Sequence, residues 1–168
     1  MNKFILLLFL TNYYCTLKAQ SPADSTAVIQ SPVKSLNNKQ YNALLTGEDL
    51  YNMSKVAELN HYPSPLKVIK FKKELDLSPI QVNKLNVINK ELRRKILEMG
   101  LIVIKNERTL DSLFHHHNLT NGSLIFYTNR YGLYQGELRN VILQSCFVTR
   151  GLLSQQQINK YEKLAKNE

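Results

Sequence analysis

The sequence predicts an all-α protein: a long antiparallel helical hairpin with short N-terminal helices and a short C-terminal helix. Three observations carry this expectation. Apolar residues recur at steps of three and four from Leu85 to Leu113, the period of one helix face. A second run from Leu124 to Leu152 repeats in heptads, which suits packing against the first. No stretch alternates apolar and polar residues convincingly enough to read as a strand.

The chain opens with Asn2 and Lys3, then an apolar run from Phe4 to Leu10 and a small residue, Ala19, before Gln20. This predicts an export signal over residues 1–19, too short in its apolar part to span a bilayer. Cys15 raises a lipoprotein alternative, but the bulky Tyr13 and Tyr14 before it are unlike the small residues such a site requires. Cleavage removes Lys3 and Lys18 and no acid, taking the formal charge from +9 to +7. A basic exported domain meets anionic surfaces or acidic protein segments. Nucleic acid fits poorly, because the cations are scattered along the chain. Cleavage also leaves Cys146 as the sole cysteine, so helix packing and no internal disulfide carries stability.

Residues 20–40 are rich in Ser, Pro, Asn and Gln with few large apolar groups, which predicts a disordered linker ahead of a domain over residues 41–168. Thr46 with Glu48 and Asp49 reads as a cap and acidic first turn, opening a short helix faced by Leu50, Met53, Val56, Ala57 and Leu59. Pro63 ends it by excluding Tyr62 from the helical region. Ser64-Pro65 starts a second short helix, with Leu66, Val68, Ile69, Phe71 and Leu75 apolar and four lysines opposite.

The first long helix spans Leu77 to Phe114. Ser78 caps it, Pro79 takes the first helical position, and Gln81 reaches back to the cap N–H. Its face is Leu85, Ile88, Leu92, Ile96, Met99, Val103, Leu110 and Leu113, with polar Asn106 the one break. At roughly 50 Å it needs a partner along most of its length. Asn118 to Gly122 is a turn. The second long helix, Ser123 to Leu152, offers the seam Leu124, Tyr127, Tyr131, Tyr134, Leu138, Val141, Ser145, Val148 and Leu152. Ser154 and Gln157 then form another capping box, before a helix carrying Ile158, Tyr161 and Leu164.

Around Gly100 the first long helix is apolar on every side. The predicted use of this collar, Leu97, Leu101, Ile102 and Ile104, is a homodimer interface or a surface for client proteins. Two metal candidates stand out: His115, His116 and His117 at the end of that helix, and Cys146. Imidazole and thiolate ligands suit Zn²⁺, Cu²⁺ or Ni²⁺. Adjacent helical side chains point about 100° apart, however, and a buried thiol or a solvated helix end accounts for the same residues. Catalytic signatures are absent: there is no phosphate-cradling glycine loop, no nucleophile elbow and no His-Glu-x-x-His. Glu91 with Glu98, and Glu107 with Asp111, read as solvated helix faces. An enzyme is not expected, nor a cofactor beyond those candidate metals.

Leu77-Ser78-Pro79-Ile80-Gln81 and Leu153-Ser154-Gln155-Gln156-Gln157 are two LTxxQ-like pentapeptides, each opening a helix, about 75 residues apart. This arrangement resembles the Spy/CpxP family of periplasmic stress proteins. Ala57-Glu58-Leu59-Asn60 followed by Tyr62-Pro63-Ser64-Pro65 is similar to a stretch of its heavy-metal-sensor branch, as are Leu110–Phe114 and Thr149–Leu153. The resemblance implies a small, curved, helical, usually homodimeric protein in a Gram-negative periplasm. It implies an ATP-independent chaperone for unfolded exported proteins, a metal sensor, or a signalling accessory that pairs with a membrane protein. That branch often carries two His four apart before the segment matching Thr149–Leu153. Those positions are Ile142 and Cys146 here, so the pair is replaced.

Overall fold

A computed structural model describes residues 29–166. It contains six helices and, among the described residues, no strand. They are α1 (Asn38–Thr46), α2 (Lys55–Leu59), α3 (Pro65–Lys70), α4 (Pro79–His115), α5 (Asn121–Leu152) and α6 (Gln155–Ala165). The predicted export signal, residues 1–19, lies outside the described residues.

Local chemistry sets the helix starts. Asn37 and Gln40, Ser78 and Gln81, Thr120 and Ser123, and Ser154 and Gln157 each exchange side-chain and backbone hydrogen bonds across the first turn. Each box satisfies N–H groups that no intrahelical carbonyl can reach. Helix α4 ends where His117 enters the left-handed region (φ 56°), with Asn118 N–H donating to Leu113 O at 3.0 Å.

Helices α4 and α5 pack on each other with contacts running in opposite chain directions. Gln81 reaches Leu152, Ile96 clusters with Leu138 and Ile142, and Asn106 reaches the carbonyl of Tyr127. Three apolar clusters join this pair to the remaining chain. Val68 and Leu75 meet Leu85, Leu153, Ile158 and Tyr161 at one end. Val33, Leu36 and Leu44 meet Val103 and Ile104 further along, and Met53 packs on the Ile96 cluster between them.

Three expectations change. The structured region begins well before residue 41: Val33 and Leu36 are core residues and α1 starts at Asn38. Residues 29–40 are therefore no solvated linker, because two apolar anchors and a capping box suffice to dock them on α4; residues 20–28 lie outside the described residues. Thr46 is the last residue of α1, which Gly47 closes at φ 81°, rather than a cap. The next helix starts only at Lys55, with Ser54 at its N-cap and no side-chain cap bond, while Asp49 fastens the turn before it, its carboxylate accepting from Met53 N–H at 2.7 Å and Ser54 N–H at 3.0 Å. The short helix that follows buries no residue, and Val56 and Leu59 are exposed. Finally, the buried stripe of α5 keeps Leu138 and Ser145 of the predicted seam, with Tyr131, Tyr134, Val141 and Leu152 packed on the clusters, but widens to Ile142, Cys146 and Thr149 and leaves Leu124 and Val148 exposed. Helix α5 faces α4 and the α2–α3 segment at once, so its burial centres between the two.

Candidate functional site

The two LTxxQ-like pentapeptides meet in space. Gln81 Oε1 accepts from Ser78 N–H (2.9 Å) and from Gln157 Nε2 (3.3 Å), while Gln157 Oε1 accepts from Ser154 N–H (3.0 Å) and from Gln81 Nε2 (2.9 Å). The remaining amide protons go to carbonyls, Gln81 Nε2 to Leu152 O at 2.8 Å and Gln157 Nε2 to Leu75 O at 3.2 Å. Each glutamine thus caps its own helix and clasps the other. Ser78, Gln81, Ser154 and Gln157 form a structural joint at one end of the α4–α5 pair.

The metal candidates are not brought together. His115, His116 and His117 are exposed at the far end of α4, and the first two rings stack edge-on at 4.9 Å. Cys146 is fully buried on α5, about 38 Å along the helix from its start. Burial pushes its thiol above the ordinary value, away from the thiolate that binds metals. Among the described residues no three His, Cys, Asp or Glu side chains converge.

The collar is divided. Ile104 is buried under α1, with Val33, Leu36 and Leu44 against it, so it offers no free surface. Gly100 lies beneath Leu44, whose carbonyl oxygen would stand 2.1 Å from a β-carbon there. The apolar surplus around Gly100 has an intramolecular partner that composition alone concealed. Leu97 is half-buried and Leu101 exposed, while Ile102 turns to the opposite side.

That opposite side carries two grooves lined by α4 and α5 residues alone. The first, about 290 Å³, has Val87, Ile88, Leu92, Val141 and Val148 as its apolar lining, with Glu91 and Lys95 on α4. Arg94 hydrogen-bonds Glu91 and holds its carboxyl below the usual range, so the acid is already matched. The second groove, also about 290 Å³, is lined by Ile102, Lys105, Asn106, Thr109, Phe126, Tyr127, Arg130 and Tyr134. Arg130 lies 5.1 Å from the Phe126 ring centre and 5.3 Å from that of Tyr134, whose hydroxyl it also bonds. Positions 88, 95, 102 and 109 of α4 fall about 120° around the helix from the covered positions 96, 100, 103 and 107. The grooves therefore share one face, extending roughly 30 Å from Val87 to Thr109. Sequence reasoning missed this face, because α4 is apolar on every side around Gly100 and its pattern there does not say which stripe α1 takes.

An enclosed cavity between α1, the 47–53 loop and the long pair measures about 30 Å³, room for a water or two and no small-molecule ligand. No helix of the described residues is long and apolar enough to cross a membrane. No family model, curated protein or solved structure matches the chain.

Proposed function

We propose that this chain is a Spy/CpxP-like helical hairpin protein, exported to the periplasm, that holds unfolded or partly folded exported proteins without ATP or catalysis. The observation that carries the reading is the open face of α4 and α5: two apolar grooves along about 30 Å, lined by Lys95, Lys105 and Arg130 and by a single acid, Glu91, which Arg94 binds, with Glu98, also bound by Arg94, and Glu137 exposed between them. Apolar strips of this kind give short-range contact to non-native chains, and cations draw them in from a distance. The two clasped LTxxQ-like motifs support the family reading. The homodimer implied by the same resemblance has to use a surface other than Ile104, which α1 already covers.

The test is suppression of aggregation of a chemically denatured client at low and moderate salt. Suppression is expected at both, stronger at low salt, where charges are screened less. Val87→Ser/Val148→Ser on the open face is expected to lose most of it while stability stays within about 0.5 kcal/mol, because both residues are exposed. No suppression at either salt would overturn the reading. The heavy-metal alternative rests on three adjacent exposed imidazoles and gains nothing from their geometry; the signalling-accessory alternative is separated by pull-down from membranes.

A further inference from the structure

The second groove differs from the first in ways that specify an occupant. None of its lining residues is acidic, and it carries two cations, Lys105 and Arg130. The Arg130 guanidinium is held between the rings of Phe126 and Tyr134, which orients it in advance of any partner. Asn106, also lining it, is only 4 % exposed and is engaged across the pair, its Nδ2 donating to Tyr127 O at 3.1 Å, so the polar recognition in the groove is left to the two cations. Ile102 and the exposed Phe126 supply apolar surface in the same groove.

We propose that this groove is a subsite for client segments in which a carboxylate neighbours an aromatic or aliphatic side chain. The carboxylate is taken by Lys105 and Arg130, the latter through the planar fork that suits carboxylate oxygens. The neighbouring side chain lies on Ile102 and Phe126. This deepens the reading of the open face as a client surface and rests on it. The first groove, with its carboxylate at Glu91, makes no such demand.

The protein contains no tryptophan, so a blocked short peptide carrying Trp next to Glu reports its own binding by fluorescence. The Trp-Glu peptide is expected to bind about tenfold more tightly than the same peptide with Gln, the scale of one charge-assisted hydrogen bond. The preference is expected to vanish in Lys105→Gln/Arg130→Gln with the helical spectrum and melting temperature unchanged, and to survive in part in Arg130→Lys. Equal binding of the two peptides, or the same preference in the double Gln variant, would overturn the subsite. If aggregation suppression persists in that event, the subsite falls alone; if suppression is absent while the acidic preference holds, the client reading falls, the subsite's role for clients falls with it, and only a site for acidic peptides is left.

Discussion

At the scale of single residues, two glycines of the long helices have opposite expected effects. A β-carbon at Gly100 would meet Leu44 O at 2.1 Å and Leu44 C at 2.9 Å, and a backbone carbonyl cannot rotate away as a side chain can. Gly100→Ala must lift α1 from α4, with an expected loss of about 2 kcal/mol or more. At Gly132 nothing lies within 4 Å, so Gly132→Ala has only the helix-propensity gain, about 0.5–1 kcal/mol. Urea denaturation of the two variants checks both signs. A second residue-scale outcome concerns alkaline pH. Burial raises the Cys146 thiol above its ordinary value of 9.0, and burial likewise raises the Tyr131 hydroxyl above 10.0. A folded value above the unfolded one gives stability that is complete below the unfolded value and lost as pH climbs through the folded one. Melting temperature should therefore fall above about pH 9, and less steeply in Cys146→Ala. The thiol should also react with a disulfide reagent only on unfolding.

At the scale of elements, the joined capping boxes make the starts of α4 and α6 depend on each other. Gln81→Ala removes a cap partner from Ser78 N–H and one side of the amide pair with Gln157. Each of Gln81→Ala and Gln157→Ala is expected to cost about 1–2 kcal/mol, and the double variant less than the sum by about 1 kcal/mol. Additive costs in equilibrium denaturation would mean two independent caps. Each box was legible in the sequence, since Ser-x-x-Gln before an apolar run states a helix start. Their meeting was not, because it depends on how α3 and α6 pack around Leu85 and Leu153. The same signature lies at Asn37 and Gln40, where polar composition outweighs it and extends the expected linker over the start of α1, to residue 40. That omission left the apolar residues around Gly100 without a partner and suggested a second copy instead. The position of the open face was hidden for the same reason: it is the side of α4 that α1 leaves uncovered.

At the scale of the whole molecule, the covering segments support only part of the long pair. Along α4 their contacts reach Glu107, whose carboxylate accepts from Ser35 Oγ at 2.8 Å. None of residues 108–130 is buried, although Leu110, Leu113, Leu119 and Tyr127 are partly shielded between the two helices. At the other end, Leu75, Leu85, Ile158 and Val68 are fully buried around the glutamine clasp. Two helices with no third layer bury too little apolar surface to resist opening as the three-sided end does. Native-state hydrogen exchange should therefore find two levels of protection. Amides near Leu85 and Ile158 should open only with global unfolding, whereas those of residues 108–126 should open at a free energy lower by about 2 kcal/mol or more. Uniform protection along α4 would show that the end bearing His115 to His117 has a stabilising partner, and with it a reason to revisit what those imidazoles touch. The gradient also bears on binding, since Ile102, Lys105 and Arg130 lie where the supported region ends. The same exchange measurement should therefore place these three residues at the boundary between the two levels of protection.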